Sequence, residues 1–215
     1  EVPCGPLYPV PAAAFTADGR VLVLAGDAIE ERLSLWDVDD PARPRRLPTP
    51  PRVHDHGIVA VAIAARRPLL ATGSTDTSIV LWDMADPTRP TPFAGPIRGL
   101  GAVVQSLALD PDGHTLVAAL ADGTTALFDL TDAARPALLA SRKQRLGGPR
   151  SVAFAPAGRR YAVGGQDTVV SVVDLARMDA VRRDPVTRAR ERAGGGLDRD
   201  QWEAFAPGTD YLHAG

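Results

Sequence analysis

The sequence of 215 residues has one cysteine, Cys4, and one lysine, Lys143. A single cysteine cannot form an internal disulfide bond, and zinc sites built from several cysteines are excluded as well. The charges are nearly balanced, since the chain has 24 basic and 26 acidic residues and a net charge of -2. That balance disfavours a general polyanion binder, so no nucleic-acid partner is expected.

Long apolar runs and targeting segments are also lacking. No run of about 18 apolar residues is present, so the sequence predicts no membrane-spanning helix and no membrane partner. No signal peptide is recognisable either, and we expect a cytoplasmic protein. Apolar residues nevertheless make up 45% of the chain and charged residues 23%, which is typical of a folded domain and excludes wholesale disorder.

A repeat is the main positive feature of the sequence. Four similar segments each end near an aromatic or apolar residue that is followed by aspartate; they span residues 12–38, 60–84, 106–130 and 151–175. The closing residues are Trp36, Trp82, Phe128 and Val173, at separations of 46, 46 and 45 positions. This regular spacing indicates one structural unit that occurs four times.

Each copy consists of short β-branched or aliphatic runs bounded by turn residues, which is typical of antiparallel strands. Glycines suited to positive φ mark the first hairpin in three copies, at Gly19, Gly113 and Gly158. The second copy has Arg66-Arg67-Pro68 there, a weaker turn sequence. An aspartate-led turn then precedes a predicted fourth strand, at Arg45–Leu47, Pro92–Ala94 and Ala137–Ala140 in the first three copies.

A four-stranded unit that repeats about every 45 residues and ends in Trp-Asp resembles a blade of a WD-repeat β-propeller. The resemblance implies an all-β fold with four recognisable blades within residues 1–175, at about 8–50, 51–97, 98–143 and 144–175. The recurring Trp-Asp-x-x-Asp-Pro-x-Arg-Pro pattern is also similar to the C-terminal propeller region of actinobacterial WD-repeat signalling proteins. A closed ring of this type has roughly seven blades. We therefore expect upstream blades or self-association to complete a larger ring.

Residues 176–215 differ in character from the repeats, and we predict a short helical tail there. Asp184-Pro185 suits a helix start, and Gly194–Gly196 suits its end. The aromatic residues Trp202, Phe205 and Tyr211 are expected to dock onto the propeller.

The resemblance further implies a buried hydrogen-bond chain inside a blade, formed by His, Ser or Thr, Asp and Trp. The second copy matches this structural tetrad with His54, Ser74, Asp76 and Trp82. In such a chain a buried indole N–H finds an acceptor and a neutral imidazole reaches a carboxylate. A Ser-His-Asp hydrolase is disfavoured, because each group satisfies its neighbour and no oxyanion hole is implied. The other copies keep only an aspartate at the matching turn: Asp27, Asp122 and Asp167.

Other chemistry finds little support in the sequence. His54-Asp55-His56 invites a metal site, but adjacent ligands without a distant third ligand are poor evidence, and no metal is predicted. No phosphate-binding loop of the Gly-x-x-x-x-Gly-Lys type is present, and no cofactor is expected.

We predict a non-catalytic protein-protein interaction scaffold or sensor module, part of a larger bacterial signalling protein. By resemblance, protein partners bind the face where the first strands enter, and the matching positions are His56, Thr75, Gln105, Arg150 and Gln166. The alternative interpretation is that these five are ordinary polar residues of a protein surface with no binding role. Two alternatives are a structural subunit that completes another chain's propeller and, with less support, a hydrolase with its site in a propeller funnel.

Overall fold

The computed structural model describes residues 10–26, 33–143, 148–165 and 169–175. These ranges contain fifteen strands in four antiparallel sheets, and within them no helix is present. No helix in the described ranges could therefore span a membrane. The chain divides into two compact units, residues 1–173 and 174–215. The sheets belong to the first unit up to Val173, and the predicted tail at 176–215 lies outside the described residues.

The strands run through the chain in groups that each form one sheet. Sheet 1 consists of β1 (Ala12–Phe15), β2 (Val21–Ala25), β3 (Leu33–Asp37) and β4 (Arg45–Arg46). Sheet 2 consists of β5 (Ile58–Ile63), β6 (Leu69–Ser74), β7 (Ile79–Asp83) and β8 (Thr91–Pro92). Sheet 3 consists of β9 (Val104–Leu109), β10 (Thr115–Leu120), β11 (Thr124–Asp129) and β12 (Ala137–Lys143). Sheet 4 consists of β13 (Pro149–Phe154), β14 (Arg160–Gly165) and β15 (Val170–Asp174).

The repeat predicted from the sequence is present in the fold. The four closing residues Trp36, Trp82, Phe128 and Val173 all lie on the third strand of their sheets. Within the first three sheets they have the same pairing, because Trp36 is opposite Leu22, Trp82 opposite Leu70 and Phe128 opposite Leu116. The all-β prediction is confirmed, and the four sheets of three or four strands are consistent with propeller blades.

Apolar residues on alternate positions of each strand build the core between neighbouring sheets. Val23 and Leu35 of sheet 1 pack with Leu70 and Trp82 of sheet 2 in one buried cluster. A second cluster joins the other face of sheet 2 to sheet 3. Sheet 2 is therefore covered on both faces, which explains why nearly every residue of β6 and β7 is buried.

The turn between β5 and β6 shows why the second copy departs from the repeat. Arg67 donates from Nη1 to the carbonyl oxygens of Gly113 at 2.9 Å and Leu130 at 2.7 Å, which lie in the turn before β10 and directly after β11 of sheet 3. The neighbouring Arg66 donates its amide to Pro111 O at 2.8 Å and pairs with Asp112 at 3.0 Å. The residues that make a weak turn sequence thus link two sheets.

We expect Arg67→Ala to lower the free energy of unfolding by about 1–3 kcal/mol, because two carbonyl groups lose a charged donor. Arg66→Ala is the matched control: its ion pair is solvent-exposed on both sides and should contribute less than about 1 kcal/mol. Urea denaturation of the two variants measures the difference. Equal losses at both positions would contradict the proposed role of Arg67.

Candidate functional site

A hydrogen-bond chain crosses the interior of sheet 2. Trp82 Nε1 donates to Thr72 Oγ1 at 2.9 Å, and His54 Nε2 lies 2.8 Å from the same oxygen. On the other side of the imidazole, Nδ1 lies 3.0 Å from Ser78 Oγ and 3.3 Å from Asp76 Oδ2. Thr72, Ser78, His54 and Trp82 are at most 2% exposed. The strands place these groups because His54 precedes β5, Thr72 lies in β6, and Asp76 and Ser78 form the turn into β7.

The hydroxyl at the centre of this chain belongs to Thr72, and the sequence-based choice of Ser74 is corrected. Ser74 donates from Oγ to Gly57 O at 2.8 Å and accepts the Asp76 amide at 3.0 Å, so it supports the turn instead. Thr72 and Ser74 lie two positions apart on β6 and therefore on the same face of the sheet. Thr72 is the diagonal neighbour of Trp82, whose directly paired residue is Leu70. His54, Asp76 and Trp82 all lie in this hydrogen-bond chain.

Neutral imidazole satisfies every group in the chain. The Thr72 hydroxyl accepts from the indole and donates its own hydrogen to His54 Nε2, while His54 Nδ1–H donates to the Asp76 carboxylate. Ser78 donates its hydroxyl to the other carboxylate oxygen. Ser78 was not predicted from the sequence, although its position two residues after a turn aspartate is a signal for an Asx turn.

Asp76 remains ionised in this buried position. Burial opposes ionisation, but hydrogen bonds from the Ser78 hydroxyl and from the amides of Asp55 and Ser78 outweigh it and hold the pKa of Asp76 well below its usual range. The carboxylate therefore anchors the loop before β5 to the turn before β7.

This pKa shift predicts a loss of stability in acid. Because the pKa of Asp76 is lower in the folded state, the unfolded state binds a proton first, so stability falls as the pH drops below about 4. Asp76→Asn should be less stable at pH 7 and should lose less between pH 7 and pH 3. Denaturant titrations at the two pH values provide the test.

Asp110 is the control for this prediction because its pKa is shifted in the opposite direction from that of Asp76. Burial raises the pKa of Asp110, with amide hydrogen bonds from Thr115 and His114 offsetting part of the effect. Protonation of Asp110 therefore favours the folded state as the pH falls. Asp110→Asn should steepen the loss between pH 7 and pH 3. Identical acid profiles for both variants and the parent chain would contradict the two assignments.

Among the residues that the structure describes, no other sheet has the complete chain. In sheet 1 the position equivalent to Thr72 is Leu24, and Trp36 Nε1 is buried with no partner among the described residues. In sheet 3, Asp122 accepts the Thr124 amide at 3.0 Å and its hydroxyl at 2.9 Å, and it pairs with Lys143 at 3.7 Å. Asp27 and Asp167 lie outside the described residues. Apolar packing therefore holds these sheets where sheet 2 has its polar chain.

Four of the five predicted partner-face residues lie at one end of the sheets. His56 and Thr75 are exposed side by side, since the Thr75 amide donates to Gly57 O at 3.0 Å. Gln105 is half-buried on β9 and Arg150 is exposed on β13. Gln166 lies outside the described residues.

A β-bulge occurs at the same place in three successive first strands. The pairing with the second strand skips one residue at Val59, Gln105 and Arg150. A bulged residue has no direct partner across the ladder, and its side chain is turned away from the regular pleat. Because first strands of successive sheets lie next to one another, the three bulges form a row. We call this row, together with His56 and Thr75, the bulge rim.

The comparison with protein families agrees with this architecture. Residues 49–83 and 96–129 match the family model for the WD domain, G-beta repeat. Each match ends at the aspartate that follows the closing aromatic residue, Trp82 or Phe128, and contains the first three strands of sheet 2 or sheet 3. The matches support a WD-repeat family, and the fold is an all-β repeat architecture like that of a β-propeller. No curated protein matches the sequence.

Metal ligation finds no support in the described ranges, where no group of three His, Cys, Asp or Glu side chains is close enough to hold an ion. Both ring nitrogens of His54 are instead within hydrogen-bond distance of Thr72, Ser78 or Asp76.

Proposed function

We propose that this chain is a non-catalytic protein-interaction module that binds its partner through the bulge rim. WD repeats generally mediate protein-protein interactions. The observation that supports this site is the recurrence of a bulge at Val59, Gln105 and Arg150. Bulges are common where a sheet re-aims a side chain for a function, and here the sequence maintains one in three successive units.

The side chains of the rim suit recognition. A half-buried valine, a half-buried glutamine and an exposed arginine lie in one row, and the exposed His56 and Thr75 lie beside it. Such a surface combines an apolar contact, a side-chain amide and a guanidinium group on adjacent strands.

The buried Ser78-His54-Asp76 set supports a structural role in preference to catalysis. Ser78 is fully buried, and its hydroxyl already donates to Asp76. His54 is bonded at both ring nitrogens within the sheet. A nucleophile needs access to substrate, and these contacts leave none of the three groups exposed at a surface.

The wider context that we propose is a scaffold or sensor region of a larger cytoplasmic signalling protein in bacteria. Its support is the resemblance of the recurring Trp-Asp-x-x-Asp-Pro-x-Arg-Pro pattern to actinobacterial WD-repeat proteins. Recognition on such a scaffold depends on the rim side chains and not on the repeat itself.

The test compares which proteins bind to the parent chain and to a variant of the bulge rim. Affinity purification from a lysate of the source cells should recover partners with the parent chain, and Arg150→Glu should reduce their recovery at least about tenfold, because a reversed charge opposes the complementary partner surface. Arg135→Glu is the matched control, an exposed arginine in the turn before β12, at the opposite end of the sheets. Full retention of the same proteins by Arg150→Glu would overturn the assignment of the rim.

A further inference from the structure

The outer edges of sheets 1 and 2 are short and contain proline. β4 has two residues and lies between Pro44 and Pro48. β8 also has two residues, one of which is Pro92, and Pro90 precedes it. Proline has no amide hydrogen to donate, and a short strand offers few backbone groups. A further strand therefore finds little to pair with at either edge.

Sheet 3 ends in a strand of a different kind. β12 has seven residues, Ala137–Lys143, and none of them is proline. It pairs with β11 from end to end, with one bulge, and in the described part of the chain it pairs with no other strand. Alternate backbone groups of an edge strand point away from its sheet, so β12 offers a row of hydrogen-bond donors and acceptors. We call Ala137–Lys143 the β12 edge.

The side chains of the β12 edge are accessible to a partner. Six of its seven residues are exposed, and Leu138 is 58% exposed although it pairs with the buried Phe128. The strand contains two basic residues, Arg142 and Lys143, and no acidic one. Lys143 lies 3.7 Å from Asp122, but its side chain is still 70% exposed, and Arg142 is exposed beside it. The β12 edge therefore combines an apolar contact with a net positive charge.

We propose that the β12 edge binds an extended acidic segment of a partner protein as a further strand of sheet 3. Main-chain hydrogen bonds hold any extended segment at such an edge, and side chains select among segments. Arg142 and Lys143 favour a segment with acidic side chains. They disfavour pairing of β12 with β12 of a second copy, because like charges would then lie on adjacent strands. The bulge rim includes β9, at the opposite edge of sheet 3, so the two proposals are independent.

The binding of two blocked peptides to the 215-residue chain tests this proposal. Both peptides are as long as β12 and alternate valine with threonine, but one has glutamate at each end and the other has lysine, so either strand direction is covered. Fluorescence anisotropy should show at least about tenfold tighter binding of the glutamate peptide. Arg142→Glu combined with Lys143→Glu should reverse this preference. Arg43→Glu combined with Arg89→Glu is the matched control, two exposed arginines in the turns before β4 and β8, and should leave it unchanged.

Amide hydrogen exchange separates strand addition from charge attraction alone. With the glutamate peptide at saturation, exchange of the outward-pointing β12 amides should slow at least about tenfold, and the amides of β4 and β8 should not change. If the charge-reversed variant does not fold, Arg142→Gln combined with Lys143→Gln should abolish the preference for glutamate.

Three results would overturn the proposal. The first is equal binding of the two peptides, and the second is binding that leaves exchange along β12 unchanged. The third is slower exchange along β12 at higher protein concentration without peptide, because a second copy would then occupy the edge. None of these results affects the bulge rim proposal.

Discussion

Replacing Thr72 with valine should lower the free energy of unfolding by about 2–4 kcal/mol, because two buried groups lose their partner at once. Valine keeps the shape of threonine and removes only the hydroxyl group. The Trp82 indole then loses the acceptor that lies 2.9 Å away, and His54 Nε2 loses the donor that lies 2.8 Å away. Both side chains are almost fully buried, so water does not replace the lost hydrogen bonds.

Thr125 provides a control for the same chemical change. Its side-chain oxygen is buried with no partner among the described residues, and the residue is 7% exposed. Thr125→Val should therefore leave the stability unchanged or raise it by up to about 1 kcal/mol, because an unsatisfied hydroxyl group is removed. Urea denaturation at neutral pH measures both variants. A loss at Thr125 as large as that at Thr72 would contradict the hydrogen-bond assignment.

A double-mutant cycle assigns the Thr72 effect to its partner. In a Trp82→Phe background the indole N–H is absent, so Thr72→Val should cost less than it does in the parent chain. Additive effects of Thr72→Val and Trp82→Phe would show that the hydroxyl and the indole act independently.

The repeat could be predicted from the sequence because each of its signals is local. Alternating apolar residues, glycine at positive-φ turns and a closing aromatic residue recur at fixed spacing, and Gly19, Gly113 and Gly158 all have φ near +70°. The lengths of the fourth strands were less predictable. β4 and β8 have only two residues, whereas β12 extends to Lys143, because pairing at a sheet edge depends on the loops that follow it.

The polar chain could be predicted only in part. Thr72 and Ser74 lie two positions apart on one strand and therefore on the same face of the sheet. The alternation of side chains along a strand does not distinguish between them. The distinction depends on which one is diagonal to Trp82, and that requires the register of β6 against β7. Likewise, the function of Arg67 required the position of a turn 46 residues further along the chain.

The exposure of apolar residues on the outer face of sheet 4 is another feature that the sequence alone does not predict. Val172 and Leu81 are equivalent residues of similar chemistry, yet one is 67% exposed and the other 5%. Within the described residues, sheet 3 packs on Leu81, and no sheet packs on Val172. A periodic pattern defines which faces are apolar, but it does not show which of them has a neighbour.

Gly73→Ala should lower the free energy of unfolding by about 3 kcal/mol, because the space for a methyl group is already filled by the next sheet. A Cβ at Gly73 would overlap Val104 Cγ1 and would lie 2.9 Å from Val104 Cβ and 3.2 Å from Leu107 Cδ1. Val104 is fully buried at the start of β9, so its side chain cannot turn outward. The two sheets would have to separate locally to accommodate the alanine.

Gly164 is the matched control for this close approach. It holds the position in sheet 4 that Gly73 holds in sheet 2, and a Cβ there meets no atom of the described residues within 4 Å. Gly164→Ala should therefore change the stability by less than about 1 kcal/mol, with stabilisation favoured by the loss of unfolded-state entropy. Thermal and urea unfolding compare the two variants, and Val104→Ala should reduce the cost of Gly73→Ala by making room. If both substitutions lowered the free energy of unfolding by similar amounts, the effect would come from replacing glycine within a strand. It would not come from the close contact between β6 and β9, and the prediction would be wrong.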